Sequence, residues 1–63
     1  MENNHNFKSL YYVLGDQIES LKSFLVTVKD HHARRKLAII LDQMAIQQDK
    51  LREWADRYLK DWD

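Results

Sequence analysis

The chain contains no proline and a single glycine, Gly15, among its 63 residues. Tight β-hairpin turns and long loops depend on these two residues, because proline presets φ and glycine adopts positive φ at little cost. Without them, the chain is largely restricted to helices joined by short connections. Cysteine is also absent, which excludes a disulfide framework and a cysteine-ligated zinc site. We therefore predict an all-α protein.

Apolar residues recur through the first half of the chain at spacings of three and four residues, the period of one helix face. This first stripe consists of Phe7, Tyr11, Leu14, Ile18, Leu21, Leu25 and Val28. The stripe passes Gly15 without interruption, so we expect one continuous helix there. The alternative is a break at Gly15, with Asp16 and Glu19 capping a new helix.

A second stripe follows the first, after a phase shift between Val28 and Leu37. It consists of Ala33, Leu37, Ile40 with Leu41, Met44, Gln47 with Gln48, Leu51, Trp54 with Ala55, Tyr58 and Trp62. The shift predicts a tight turn near residues 29–32, with Asp30 able to cap the second helix. Helices joined by so short a connection lie antiparallel. We predict one domain over residues 1–63, an antiparallel two-helix hairpin with helices at about 6–29 and 33–61. One long helix is the alternative.

A hairpin of this size has little core of its own. A domain of about 60 residues buries only about 60% of the surface that its unfolded chain exposes. Further apolar residues flank both stripes, and a lone hairpin would expose them as patches, which soluble monomers avoid. We therefore expect two copies to form a homodimeric four-helix bundle. The expected dimer or core interface consists of Leu10, Phe24, Ile39, Ile46 and Leu59.

Composition argues against several functional classes. No apolar run approaches the 18 residues of a membrane span, and the N-terminus lacks the basic start and apolar stretch of a signal peptide, so we expect a cytoplasmic protein without a membrane partner. One glycine cannot build a phosphate-binding loop or a nucleophile elbow, so we predict neither enzyme activity nor a cofactor. His31 and His32 are adjacent and diverge by about 100° on a helix, so we predict no metal site.

The formal net charge is zero, yet the charges are unevenly distributed. Around the predicted turn, only Asp30 offsets a cluster of basic side chains. This group, which we call the basic tip, consists of His31, His32, Arg34, Arg35 and Lys36. Cations in the first turn of a helix oppose the positive end of the helix dipole. The cluster suggests a docking point for phosphate or an acidic partner surface, with ordinary solvated charge as the alternative.

Aromatic residues mark the other end of the predicted hairpin. Trp54, Tyr58 and Trp62 recur every four residues, and aspartates stand beside them. Such aromatic residues either anchor interfaces or pack across the hairpin on Phe7 and Tyr11. We favour packing for Trp54 and Tyr58. For Trp62 both roles remain open, and we include it among the expected partner-binding residues.

Two families of helical hairpins are similar in outline. In length and architecture, the chain resembles the plasmid repressor-of-primer proteins, whose dimer is a four-helix bundle that grips paired RNA loops. It also resembles the small aspartyl-phosphate phosphatases of the sporulation phosphorelay, whose second helix carries Ser-Gln-x-Leu-Asp. The best alignment is the segment Ala38-Ile39-Ile40-Leu41-Asp42, which keeps the Leu and the Asp. The first resemblance implies a nucleic-acid partner, and the second implies a phosphatase-like modulator acting through Asp42.

The sequence favours a small non-enzymatic regulatory protein, in the class of bacterial or phage anti-activators and inhibitors. It would bind a larger protein and inhibit or modulate it through the basic tip and Trp62. An RNA- or DNA-binding hairpin dimer is the alternative, although zero net charge and the lack of a basic stripe along either helix weigh against it. A phosphorelay phosphatase-like modulator is the third hypothesis.

Overall fold

A computed structural model describes residues 4–63, which form two α-helices packed against each other with no strand. Helix α1 is Asn4–Leu25 and helix α2 is His31–Tyr58. They run antiparallel, because Phe7 contacts Trp62 while Gly15 lies beside Gln48. This part of the molecule measures 47 × 16 × 15 Å. The predicted all-helical hairpin is confirmed, and neither described helix has an apolar stretch that could cross a membrane.

The connection between the helices comes earlier than predicted. Helix α1 ends at Leu25 instead of near residue 29, because Thr27 turns the chain: its amide and hydroxyl both donate to the Phe24 carbonyl, at 2.9 and 2.6 Å. Asp30 then caps α2 as predicted. Its backbone is extended and its carboxylate accepts a 2.8 Å hydrogen bond from the Ala33 amide. Capping by Asp30 starts α2 at His31, two residues before the predicted start.

Helix α2 ends at Tyr58, three residues before the predicted end. Leu59 is extended, and its amide donates to the Ala55 carbonyl at 2.8 Å. Asp61 then adopts a φ of 60°, in the left-handed region, where only short polar residues such as Asp and Asn rival glycine. This turn brings Trp62 back onto the hairpin, which continued helix would not do.

Gly15 lies inside α1, which continues through it without a break, as predicted. A Cβ atom at this position would lie 2.9 Å from Nε2 of Gln48. The absence of a side chain therefore leaves room for the flexible end of the Gln48 side chain at mid-length. This contact places Gly15 near Gln48 along the hairpin.

The first stripe packs as predicted, and the second is rotated. Every residue of the first stripe is buried or half-buried, with Tyr11 and Ile18 the most enclosed. In α2, only one residue of each apolar doublet faces α1: Leu41 is buried beside exposed Ile40, and Ala55 is 0% exposed beside Trp54 at 46%. Since Ala55 packs in one cluster with Tyr11 and Trp62, this position has no room for the larger neighbour. At this level the core therefore takes the smaller residue of the doublet.

Candidate interaction surfaces

The basic tip occupies the first two turns of α2, at one end of the hairpin. Arg34 is half-buried, and its Nε donates to the Val28 carbonyl at 3.0 Å, so it braces the connection between the helices. The remaining four side chains of the basic tip are exposed. Over the described residues, the ion pairs within 4.0 Å are Lys22 with Glu19 and Arg52 with Asp63, both away from the basic tip. The first turn of α2 carries no acidic residue. The basic tip is thus a cationic surface without an ionic partner in the described chain.

Trp62 lies in the core instead of on the surface. Its side chain is 3% exposed, and its ring packs nearly edge-on against Phe7 and Tyr11, with centroid separations of 5.1 and 5.3 Å. Its Nε1 donates to a carboxylate oxygen of Asp56 at 2.8 Å. The sequence left open whether Trp62 packs within the hairpin or binds a partner. In the folded hairpin it packs. In this conformation it is not available to a partner.

Trp54 and Tyr58 were both expected to pack across the hairpin, and only Trp54 does so. Trp54 is 46% exposed and its ring centroid lies 6.0 Å from that of Phe7, whereas Tyr58 is 63% exposed and tilts against Trp54 at 6.1 Å. Neither residue is buried. The return of the chain after Tyr58 explains this, because Trp62 takes the position next to Tyr11 that α2 leaves open.

The expected dimer residues fall into three places. Leu10 and Phe24 are 61% and 58% exposed on α1. Ile39 and Ile46 are also exposed, but each precedes an inward residue of α2 by two positions, which places it about 200° from the contact with α1. Leu59 packs against the cluster around Tyr11 within its own chain. Leu10 and Phe24 therefore lie on the exposed side of α1, and Ile46 shares a shallow depression on α2 with Ile40 and Gln47.

A simple positional rule identifies one apolar side of the hairpin. On a helix, the residue immediately before an inward-facing residue points about 100° away from the contact between α1 and α2. Because the two helices are antiparallel, these preceding residues lie on the same side of the hairpin in both helices. Six of them are large, apolar and exposed, and polar residues such as Ser20, Gln43 and Lys50 stand between them. We call this side the apolar face; its main members are Leu10, Val13, Gln17 and Phe24 of α1, with Ile40, Gln47, Trp54 and Tyr58 of α2. We expected the α2 residues of the apolar face to pack against α1. The doublets Ile40–Leu41 and Trp54–Ala55 were a signal to the contrary, because only one residue of each pair can face inward.

The opposite side carries charges of both signs. Five exposed carboxylates follow inward-facing positions there, and basic residues such as Lys22 and Arg52 stand between them; we call this the acidic side after Glu19, Asp42, Asp49, Asp56 and Asp63. On this side Tyr12 donates its hydroxyl to Asp63 at 3.1 Å, and this hydrogen bond, together with the negative charge of Asp63, raises the pKa of Tyr12 above its ordinary value of 10.0. Asp42, the residue of the phosphatase hypothesis, lies here on the open surface.

The described residues provide surfaces rather than an enclosed reaction site. No group of three histidine, aspartate or glutamate side chains among them could hold a metal ion. Two shallow depressions open along the apolar face, one beside Ile40 and Met44 and the other beside Val13 and Leu21. Comparisons with protein-family models, with curated proteins and with solved structures find no match to this chain. The function must therefore be argued from the apolar face and the basic tip.

Proposed function

We propose that this chain is a small non-catalytic regulatory protein of the cytoplasm that works as a homodimer of hairpins and binds a larger protein through its basic tip. The observation that supports it best is the division of the hairpin into an uncovered apolar face and a separate cationic end. Each surface suits a different partner. The apolar face suits a second hairpin, and the basic tip suits an acidic surface.

The size of the apolar face supports self-association. Six apolar side chains on it are each between 46% and 63% exposed: Leu10, Val13, Phe24, Ile40, Trp54 and Tyr58. Taking about 200 Å² for a full large side chain, they present on the order of 600 Å² of apolar surface. The largest patch on a typical monomer is about 300–600 Å², whereas a stable interface covers about 800 Å² per partner with its polar rim. The apolar face is therefore large enough to form the centre of a dimer interface.

The charge of the basic tip supports an acidic partner. Residues 29–36 carry four cationic side chains and one carboxylate, and that carboxylate is occupied in capping α2. Cations near a helix N-terminus are unfavourable by about 0.3–1 kcal/mol each, and an approaching anionic surface would relieve this cost. Exposed charges also steer association and raise its rate. Arg35 and Lys36 are the most suitable contact residues, because Arg34 is already engaged with Val28.

Charge reversal at the basic tip tests this proposal. The tagged chain is used to capture its partner from the cells that express it, in parallel with Arg35→Glu and, as a control of equal charge change on α1, Lys8→Glu. We expect a protein retained by the parent and by Lys8→Glu but lost with Arg35→Glu. The purified pair should then show at least a tenfold weaker Kd for Arg35→Glu in calorimetry.

Two outcomes would contradict the proposal. A partner that binds Arg35→Glu as tightly as the parent would exclude the basic tip as the docking surface. Captured material that is removed by nuclease, with affinity that falls steeply between about 50 and 200 mM salt, would favour the nucleic-acid alternative.

A further inference from the structure

We infer that two copies of this chain pack through their apolar faces with the hairpins pointing in opposite directions, about a two-fold axis that passes through a layer of four glutamines. These are Gln17 and Gln47 of each copy. The inference rests on the proposed homodimer and specifies its geometry. It is carried by the symmetry of the apolar face and by the charges at the two ends of the hairpin.

The two ends of the α1 part of the apolar face are symmetric about Gln17. Leu10 and Phe24 lie seven residues to either side of it, and between them Val13 lies four residues before it and Ser20 three residues after it. Rotation about an axis through Gln17 would place Leu10 of one copy on Phe24 of the other. Antiparallel pairing of α1 with its own copy requires this symmetric placement of Leu10 and Phe24, whereas pairing of α1 with the α2 of a second copy does not.

The α2 part has its central glutamine at the same level. Ile40 and Trp54 lie seven residues to either side of Gln47, and on the same face Gln43 lies four residues before it and Lys50 three residues after it. The contact of Gly15 with the end of the Gln48 side chain and the packing of Tyr11 with Ala55 place Gln17 level with residues 46–49. Gln17 and Gln47 are thus within about 3 Å, two residues of helix rise, of a common level. A single two-fold axis can pass through both.

Both glutamines are exposed in the single hairpin: Gln17 lies midway between Leu10 and Phe24, and Gln47 lies midway between Ile40 and Trp54. In the dimer, each side-chain amide can donate to and accept from its own copy, which satisfies both groups. A polar residue at one core position specifies register at a cost in stability. The glutamine layer would therefore define which residues of the two copies meet.

The end charges favour opposite directions over equal ones. Residues 29–36 at one end of the hairpin carry four cations and one carboxylate, whereas residues 53–63 at the other end carry four carboxylates and two cations. If the two hairpins pointed in the same direction, their cationic ends would lie together. If they point in opposite directions, the cationic end of each copy lies over the anionic end of the other, which electrostatic complementarity favours. The two basic tips then lie at opposite ends of the bundle, so one dimer can engage two partner molecules.

Distance measurement on a labelled tip decides the orientation. The chain has no cysteine, so Lys29→Cys provides one attachment site for a spin label, outside the apolar face and on an exposed residue. His31, the first residue of α2, is 16 residues from Gln47, or about 24 Å of helix rise, so opposite hairpins place two labels on the adjacent connection about 48 Å apart. Equal directions place them within about 20 Å, since packed helix axes are about 8–10 Å apart. We expect the longer distance in pulsed electron resonance.

Cross-linking provides a second measurement. A short bismaleimide should join Leu10→Cys to Phe24→Cys in a mixture of the two variants, because the inferred geometry makes these residues neighbours. It should not join Leu10→Cys to Trp54→Cys between chains, since those sites are then about 21 Å apart along the axis. The opposite pattern of products would overturn the inference.

A charged residue placed at the two-fold axis tests whether the apolar face forms the dimer interface. Gln17→Lys places two like charges together and should weaken the dimer at least 100-fold in Kd. The matched control Glu19→Lys, on the acidic side, should change Kd less than threefold. Equal effects of the two variants would contradict the inference.

Sedimentation equilibrium separates the inference from the proposed function. A dimer of 7.6 kDa chains that gives the short label distance would overturn the orientation and leave the proposed homodimer intact. A 7.6 kDa monomer at micromolar concentration would overturn both.

Discussion

Replacing Trp62 by alanine should remove the largest single contribution to the core. The indole is 3% exposed and joins the two ends of the chain, because it packs on Phe7 and Tyr11 of α1 and donates to Asp56 of α2. It also closes the cluster in which Ala55 is buried. Trp62 thus links the half-buried ring of Phe7 to the buried ring of Tyr11.

The expected loss is a large part of the stability of the chain. Burying a tryptophan removes on the order of 250 Å² from water. At about 25 cal/mol per Å² this contributes up to about 6 kcal/mol, an upper limit because the unfolded chain already buries part of that surface. Measured Trp→Ala substitutions in cores cost about 3–5 kcal/mol. A chain of this length has a free energy of unfolding of about 3–9 kcal/mol at about 0.05–0.15 kcal/mol per residue.

Urea unfolding followed by far-ultraviolet circular dichroism measures this loss. All variants are compared at one protein concentration, because self-association makes the midpoint concentration-dependent. We expect Trp62→Ala to be partly unfolded without urea. Trp62→Phe keeps a packed ring but loses the donor to Asp56, and should cost about 1–3 kcal/mol. Val26→Ala, at a highly exposed position, should change the free energy of unfolding by less than about 0.5 kcal/mol.

The refuting result is specific. If Trp62→Ala unfolds with a free energy within about 1 kcal/mol of the parent, Trp62 does not belong to the core in solution. It would then return to the set of candidate partner-binding residues.

Three further predictions concern the helices and the acidic side. Gly15→Ala should raise the free energy of unfolding by up to about 1 kcal/mol, because alanine favours helix and the added methyl meets only the flexible end of Gln48. A loss above about 1 kcal/mol in urea unfolding would show that the helices are too close to accept the methyl group. Asp30→Ala should cost about 1 kcal/mol and Asp30→Asn much less, since asparagine also caps; equal losses would exclude capping as the cause. Tyr12 should ionise above pH 10.0, because its folded pKa is raised; its stabilising contribution is therefore present below that pH and lost as the pH rises through the folded pKa. Tyrosinate absorbance compared with Tyr12→Phe measures this, and Asp63→Asn should move the pKa of Tyr12 back towards 10.0.

Local interactions made much of the fold predictable. The three- and four-residue spacing of the first stripe identified the inward face of α1, and all of its residues are buried or half-buried. Asp30 could be identified as a cap because capping depends on a side chain and an amide three residues apart. The continuity of α1 at Gly15 also followed from the stripe. The connection was misplaced by a few residues, since the hydrogen bonds of Thr27 to Phe24 compete with continued helix.

The candidate surfaces were predictable only in part. The cluster of charges that forms the basic tip is contiguous in sequence, so it could be recognised directly. Periodicity could not decide which residue of Ile40–Leu41 or Trp54–Ala55 faces α1, because neighbouring residues fit a broad apolar arc equally well. The apolar face was therefore predicted incompletely. Ile39 and Ile46 were expected on the exposed apolar surface of α2, and Ile40 and Trp54, which are exposed, were expected to face α1.

The sequence by itself determined the two helices, the capped start of α2 and the cationic end, because each depends on residues within one or two turns of one another. The tertiary structure decided which side of α2 meets α1 and where Trp62 lies. Those outcomes depend on volume at a contact between residues distant in sequence: Ala55 fits against Tyr11, and the space that remains takes the indole of Trp62. By filling that space from the end of the chain, Trp62 leaves Trp54 and Tyr58 exposed on the apolar face.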